Sequence, residues 1–276
     1  MIISVFPYIE NESVRRLTGD VLSELDRLKC HVYVTQECAG QLPGHHVVYS
    51  KPDKMMEDCD LAIAIGGDGT TLRIAKKAAF YDKCVLGING GRLGFMSGLE
   101  ANELSLLGNV VTGKYKVDKR MMLQADIIRE NQATETFHCL NDAVVTRGDY
   151  ARLIDVNIHC ERADGVIVST PTGSTAYSMA AGGPVVSPET DCFVVTSICP
   201  HSLIDRSIVF PSSKALYVRV QNDVDNNSIF TADGKRPVQI DGRTVVRISK
   251  SPYVARLIKV KPDNFYEILR KKIIER

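Results

Sequence analysis

Gly66-Gly67-Asp68-Gly69-Thr70 is the string in this chain with the most chemistry in it. It follows the apolar run Leu61-Ala-Ile-Ala-Ile65 and precedes a helical pattern, so it falls at the carboxyl end of a buried strand. In open α/β sheets that is where ligands bind. Glycines let a backbone come close to a phosphate. A following helix adds free N–H groups and a favourable dipole. Asp68 is the odd member, because a carboxylate repels phosphate unless it holds a metal or takes a proton from an attacking hydroxyl. Gly-Asp-Gly is also good chemistry for a plain strand-to-helix turn. No G-x-x-x-x-G-K-[ST] string and no clean G-x-G-x-x-G string occurs, which sets aside the ordinary P-loop NTPases and the ordinary dinucleotide dehydrogenases.

A second string is longer. Asp164-Gly-Val-Ile-Val-Ser-Thr-Pro-Thr172-Gly-Ser-Thr175-Ala176-Tyr177-Ser178 runs on into Met179-Ala-Ala-Gly-Gly-Pro184. Small residues and hydroxyls give a tight, donor-rich turn against which an adenine or a ribose can lie, and Tyr177 adds an aromatic face or a phenolic hydroxyl. A Ser/Thr/Gly loop of a β domain is the plainer reading.

The first string resembles the GGDGT signature shared by NAD kinases, diacylglycerol kinases and sphingosine kinases. The second closely resembles the long signature of NAD kinases, DG-x-x-x-STPTGSTAYS followed by GGP, and it chooses among them. Further segments agree. Gly87 to Phe95, which includes Asn89, resembles the family's GxNxGxLGF. Asn141-Asp142, followed by Ala-Val-Val145, resembles its NE pair, with Asp in place of the usual Glu. Pro200-His201 with Leu203 and Arg206 resembles PHxLxxR. Asp233-Gly234 stands where the family has Asp-Gly or Asp-Ser in its last sheet. The motifs run in the family's order, and the resemblance covers essentially the whole chain.

This resemblance implies an NAD kinase, which transfers the γ-phosphoryl group of ATP to the 2′-hydroxyl of the adenosine ribose of NAD. NAD would lie between two domains, held mainly by the second. Asn141, Asp142, Asp164, Thr172, Thr175, Ala176 and Tyr177 would surround it. Gly66, Gly67, Gly69 and Thr70 would hold the ATP phosphates with Mg2+ or another divalent metal, Asn89 and Phe95 belonging to the neighbouring loop. Asp68 is the expected general base, or else it orients the hydroxyl or holds metal through water. The shorter reach of Asp142 admits a water-mediated contact. Arg73 and Arg92 lie near the two glycine loops, where either would pair with phosphate; a solvated arginine is the alternative. Asp233 faces a ligand or a neighbouring subunit, or simply closes a hairpin. His201 reads as a structural histidine. The basic run Arg270-Lys-Lys272 reads as the solvated face of the last helix.

The elements that must position these residues follow from periodicity. Ile2 to Phe6, His31 to Thr35, Leu61 to Ile65 and Cys84 to Ile88 read as strands. Between and after them lie helical patterns on Val14, Leu17, Val21, Leu25 and Leu28, then on Leu72, Ala75 and Ala79, then on Leu104, Leu107 and Val111. This rhythm predicts an α/β domain with a parallel, Rossmann-like sheet over 1–115. From about Gly113 short β-branched runs take over: Ala143 to Thr146, Ile154 to His159, Val166 to Val168, Phe193 to Thr196, Leu216 to Val220 and Val245 to Ile248. They predict an all-β domain over 116–251, a sandwich or stacked sheets. Residues 252–276 are expected to complete the first domain, with a C-terminal helix on Phe265, Ile268 and Leu269 packing back on it.

Composition is that of a globular protein, with 44% hydrophobic and 24% charged residues. A formal net charge of +1 gives no overall field to recruit nucleic acid or anionic lipid. Eight cysteines without a C-x-x-C pair read as buried thiols of a reducing compartment. With no signal-peptide pattern at the start, the expected location is cytoplasmic. A lipid kinase sharing the GGDGT loop would want a basic amphipathic helix to reach a membrane, and none is visible. An inactive dinucleotide-binding regulator would have lost Asp68, which is present. The family suggests homodimers or homotetramers, and the edges of an all-β domain suit assembly.

Overall fold

The computed structural model describes residues 1–42, 44, 46–91, 94–130, 133–147, 154–156, 161–200, 206–221, 228–262 and 265–273. The chain divides into two compact units, Met1–Lys119 with Ala255–Arg276, and Arg120–Val254.

The first unit opens with β1 (Ile2–Pro7), α1 (Glu12–Arg27), β2 (His31–Thr35), β3 (Val48–Ser50) and α2 (Pro52–Asp58). It continues through β4 (Leu61–Gly66), α3 (Asp68–Ala79), β5 (Cys84–Asn89), β6 (Leu99–Glu100) and α4 (Leu107–Val111). Its strands are all parallel, in the order β3-β2-β1-β4-β5. The chain moves outward from β1 through β2 to β3, then returns to the other side of β1 to form β4 and β5. Between β1 and β4 the order therefore reverses, and the loop after β4 leaves the sheet at this switch point. Such points are where α/β sheets leave a crevice at the strands' carboxyl ends.

β4 is buried along its whole length, as a strand covered on both faces must be. Asn11 caps α1, its side chain accepting from Ser13 N–H at 2.9 Å. Val14, Leu17, Val21, Leu22 and Leu25 then pack into the core with Ile3, Val5, Ile63 and Ile65. On α3 the buried face is Thr71, Ile74, Ala75, Ala78 and Ala79. The face expected from Leu72, Ala75 and Ala79 is thus rotated by about one residue, and Leu72 is only half-buried. The small residues of α3 let it lie close on β4 and β5. The helix expected through Leu104, Leu107 and Val111 is split into a 3₁₀ segment, Ala101–Leu106, and α4.

The second unit holds β7 (Lys116–Ile128, starting in the first unit), β8 (Glu135–Cys139), β9 (Asp142–Arg147), β10 (Ile154–Val156), β11 (Glu161–Ala163) and β12 (Gly165–Ser169). After α5 (Tyr177–Ala180) come β13 (Cys192–Ile198), β14 (Ile208–Pro211), β15 (Leu216–Gln221), β16 (Ser228–Ala232) and β17 (Lys235–Ile240). Six of these strands form an antiparallel sheet in the order β14-β13-β12-β9-β16-β17. β18 (Val245–Lys259) pairs antiparallel with β15 through Val245–Ile248, and α6 (Phe265–Ile273) follows it in the first unit. Alternate residues point inward along each strand. Ala143 and Val145, Val166 and Val168, Phe193 and Val195, and Phe230 and Ala232 come from the six-stranded sheet. They meet Met121, Leu123, Ala125 and Ile127 of β7 with Val218 and Val246 in one core. This period-two packing of sheet on sheet is the sandwich that the short β-branched runs predict.

Of the cysteines, Cys38, Cys59, Cys139 and Cys192 are buried, Cys30 and Cys84 are half-buried, and Cys199 is exposed; Cys160 lies outside the described residues. Among the described residues no helix is long and apolar enough to cross a membrane.

Candidate functional site

In the first unit the site is built on the first turn of α3. Gly67 is its N-cap and supplies no side chain to occupy the helix end. Thr70 and Thr71 N–H return to Gly67 O at 3.0 and 3.2 Å. Gly66 has φ +152°, and a Cβ there would stand 2.7 Å from Thr70 Oγ1, so only glycine brings β4 into the turn this tightly. Gly67 and Gly69 are exposed, and a Cβ on either would meet nothing within 4 Å. The helix start therefore presents bare backbone, the arrangement that accepts an anion.

Asp68 sits on this turn with its side chain 34% exposed. Its Oδ1 accepts from Met96 N–H and its Oδ2 from Phe95 N–H, each at 3.0 Å. Lys272 Nζ of α6 donates to Oδ2 at 3.0 Å and lies 4.2 Å from the centre of the Phe95 ring. The Phe95 ring in turn tilts against Phe265 of α6 at 6.3 Å. The carboxylate is thereby fixed by three donors, with its orientation set by the 95–96 backbone.

The loop that supplies those amides has its own staple. Asn89 is 2% exposed. Its Nδ2 donates to Glu100 Oε2 at 2.7 Å, and its Oδ1 accepts from Gly91 N–H at 3.1 Å. Glu100 and Glu103 form a reciprocal cap on the 3₁₀ segment, with Glu100 N–H donating to Glu103 Oε2 at 2.8 Å. Asn89 thus organises the loop from within. Arg73 is an exposed residue of α3, one turn beyond the glycine loop. Arg92 lies outside the described residues.

The second unit brings Asn141, Asp142, Thr172, Thr175, Ala176, Tyr177 and Asp233 to one end of β9 and β12, whereas Asp164 lies at the opposite end of β12, beside Arg147. Asn141 and Asp142 lead into β9, and the Thr170–Tyr177 loop leaves the adjacent β12. Thr170 N–H donates to Asn141 O at 2.8 Å and Thr170 Oγ1 to Leu140 O at 2.6 Å, tying loop to strand. Gly173 abuts the Asn141 backbone so closely that any Cβ would overlap it. Ser174 Oγ is buried and donates to Pro171 O at 2.7 Å while accepting from Val186 N–H at 3.0 Å. Thr172 is buried, and its Oγ1 accepts from the buried Arg120 at 3.3 Å. Ser178 Oγ, Thr196 Oγ1 and Ser207 Oγ form a hydroxyl chain with links of 3.1 and 3.0 Å. On this rigid base Thr175 and Ala176 are half-buried and Tyr177 is 45% exposed at the start of α5. Asp142 is buried. Asp164 pairs with Arg147 at 3.0 Å. His201 and Leu203 lie outside the described residues.

Asp233 occupies the β16–β17 turn at φ +50°. Its carboxylate accepts from the N–H groups of Leu140 (3.2 Å), Asn141 (2.8 Å) and Asp142 (3.2 Å). Its own N–H donates to Asp142 O at 2.9 Å. It closes a hairpin and at the same time shapes the Asn141-Asp142 backbone.

Sequence reasoning missed Lys272, whose run it read as solvated, and missed Glu100, Arg120 and Thr170 as organisers. The helical spacing of α6 carries a signal for the first of these: Phe265 and Lys272 are two turns apart and share a face. Among the described residues no group of three or more His, Cys, Asp or Glu could hold a metal ion.

Both parts of the chain match family models. Residues 9–115 match the ATP-NAD kinase N-terminal domain, and residues 140–260 match the ATP-NAD kinase C-terminal domain. A protein named NAD kinase from Symbiobacterium thermophilum is 39% identical over 273 residues, covering 96% of each chain. Another so named, from Caldanaerobacter subterraneus subsp. tengcongensis, is 36% identical over 282 residues, covering 99% of each. Among solved structures, an NAD kinase from Archaeoglobus fulgidus in complex with ATP aligns over 100% of both chains, with a TM-score of 0.74 and 26% identity. Yeast NADH kinase complexed with NADH aligns over 100% of this chain and 87% of its own, with a TM-score of 0.87. At 24% identity the yeast enzyme speaks to the fold alone.

Proposed function

This chain belongs to the ATP-NAD kinase family, and from that premise we propose how its residues divide the work of one phosphoryl transfer. The protein is an NAD kinase: it moves the γ-phosphoryl group of ATP to the 2′-hydroxyl of the adenosine ribose of NAD, giving NADP.

The observation that carries the division of labour is the fixed carboxylate of Asp68 on a bare helix N-terminus. In our reading, Gly66, Gly67, Gly69 and Thr70 hold the donor phosphates: Gly66 shapes the turn, Gly67 and Gly69 offer backbone N–H groups, and Thr70, whose N–H returns to Gly67 O, offers its hydroxyl. Arg73 adds charge at the rim. Asp68 orients the acceptor hydroxyl and takes its proton as the bond to phosphorus forms. Phosphoryl transfer depends mostly on positioning and charge stabilisation, so a held carboxylate serves it well. Phe95 supports Asp68 through its N–H, and Asn89 fixes the loop that Phe95 stands on. Asn141, Asp142, Thr172, Thr175, Ala176 and Tyr177 hold the dinucleotide, with Asp233 keeping the Asn141-Asp142 turn in shape; Asp164, expected among them, stands at the far end of β12. A divalent ion such as Mg2+, arriving with ATP, would supply charge neutralisation. The proposed setting is the cytoplasm, with small-molecule partners only, in a homodimer or homotetramer.

The test is NADP formation from NAD, ATP and magnesium, read with an NADP-specific dehydrogenase. Signal should require all three components and vanish in Asp68→Asn, while NAD binding by that variant stays within about threefold of wild type. Near-normal turnover in Asp68→Asn would remove Asp68 from the mechanism.

A further inference from the structure

A carboxylate at the head of a phosphate-binding helix poses an electrostatic problem, since it repels the donor it is meant to serve. Lys272 answers it. Its ammonium is 3.0 Å from Asp68 Oδ2, and its side chain is only 21% exposed. Two further contacts keep it there. It lies over the face of Phe95 at 4.2 Å, and Phe265, on the same face of α6, packs against that ring. The helix thus grips Phe95 with one residue near each end, and Phe95 is itself a donor to Asp68. The acceptor positions divide accordingly. Oδ2 takes Phe95 N–H and Lys272, whereas Oδ1 takes Met96 N–H and keeps the greater remaining capacity for a hydroxyl.

We propose that Lys272 is a positioning residue for phosphoryl transfer: it cancels the charge of Asp68 beside the donor phosphates and holds Oδ2, so that Oδ1 meets the acceptor hydroxyl. The inference rests on the kinase reading above. It gives α6 a role in the reaction beyond closing the first unit. Charge cancellation also separates Lys272 from an ordinary phosphate-binding lysine. Its effect on ATP should depend on Asp68 being charged.

That dependence is the test. Binding of magnesium-ATP is measured by calorimetry at low salt for wild type, Lys272→Met, Lys272→Arg and the double variant Asp68→Asn/Lys272→Met, with melting curves to establish that each folds. Lys272→Met should weaken ATP about tenfold, because one uncompensated charge faces the triphosphate. Lys272→Arg should stay within about threefold of wild type, since it keeps the charge. The double variant, neutral again at this point, should recover to within about threefold of wild type. A double variant as weak as Lys272→Met would overturn the inference and make the loss structural or a direct phosphate contact. So would a Lys272→Met variant that binds like wild type. A wild type that binds no magnesium-ATP would overturn the kinase reading itself, and the inference with it.

Discussion

Gly94 and Asp68 touch with no space between them: a Cβ built on Gly94 would overlap Asp68 Oδ1. Phe95 N–H, Met96 N–H and Lys272 also hold the carboxylate in place. Gly94→Ala should therefore rotate the carboxylate or shift the 95–96 backbone. A small displacement of a reacting group is expensive in rate, so kcat should fall about 10- to 100-fold. The overpacking should cost about 1–3 kcal/mol of stability. Coupled NADP assays and melting curves on the same preparation would check both. Unchanged kcat would mean that the position of Asp68 does not matter.

Gly69 makes the opposite case. It lies inside α3, is exposed, and has empty space where a Cβ would go. Gly69→Ala should stabilise the protein by about 0.5–1 kcal/mol, the usual gain for Ala over Gly in a helix. If the loop cradles phosphates, the same methyl group crowds them, and KM for ATP should rise about tenfold while KM for NAD barely moves. A more stable variant with normal KM for ATP would take the donor phosphates away from this helix end.

Asp233 joins three N–H groups of Leu140, Asn141 and Asp142 on one carboxylate. Asp233→Ala leaves all three without this acceptor and puts a β-carbon residue with no polar side chain at φ +50°. The expected loss is about 2–3 kcal/mol. Asp233→Asn tolerates the backbone and keeps one good acceptor, so it should lose about half as much. Its NAD affinity should fall in step with stability, because the turn it shapes carries Asn141 and Asp142. Denaturant unfolding with parallel NAD titrations would show whether the two losses track.

These residues show how far the sequence could be read. The parallel domain was legible because β4 is one continuous apolar run and α1 keeps a clean helical period. The glycine loop was legible because its residue types have few other uses. β7 was missed, although Met121, Leu123, Ala125 and Ile127 alternate inward, because polar residues dominate its first half. α2 was missed because it is only seven residues long, although Pro52 at its first turn marked its start. β18 was read only to Ile248, because Ser249-Lys250-Ser251-Pro252 interrupts the apolar pattern while the strand continues to Lys259. The pairing of Lys272 with Asp68 was invisible for a different reason. They are 204 positions apart, and helical spacing says which face a lysine is on without saying what covers that face.

The acid side of the stability curve follows from carboxyls held low in the folded state, among them Glu103, which caps the segment behind the site's loop, and Asp241. Burial pushes the Glu103 carboxyl up, but hydrogen bonds from Lys261 at 2.6 and 2.7 Å, the Glu100 N–H and the Lys261 charge together hold it below its ordinary range. The Thr244 hydroxyl, 2.6 Å away, does most to hold Asp241 low as well, helped by the Arg243 and Thr244 N–H groups and the Arg243 charge against burial. A carboxyl lowered in the folded state binds its proton first in the unfolded chain. Its stabilisation is therefore complete above the ordinary carboxylate range and is lost as pH falls through that range to the lower folded value. Tm should stay level from neutral pH down to the ordinary carboxylate range and decline below it. Glu103→Gln should melt lower than wild type at pH 7, and the gap should close as the medium becomes acidic enough to protonate Glu103. A gap that keeps its size in acid would show that Glu103 stabilises by packing and capping, with its charge contributing nothing.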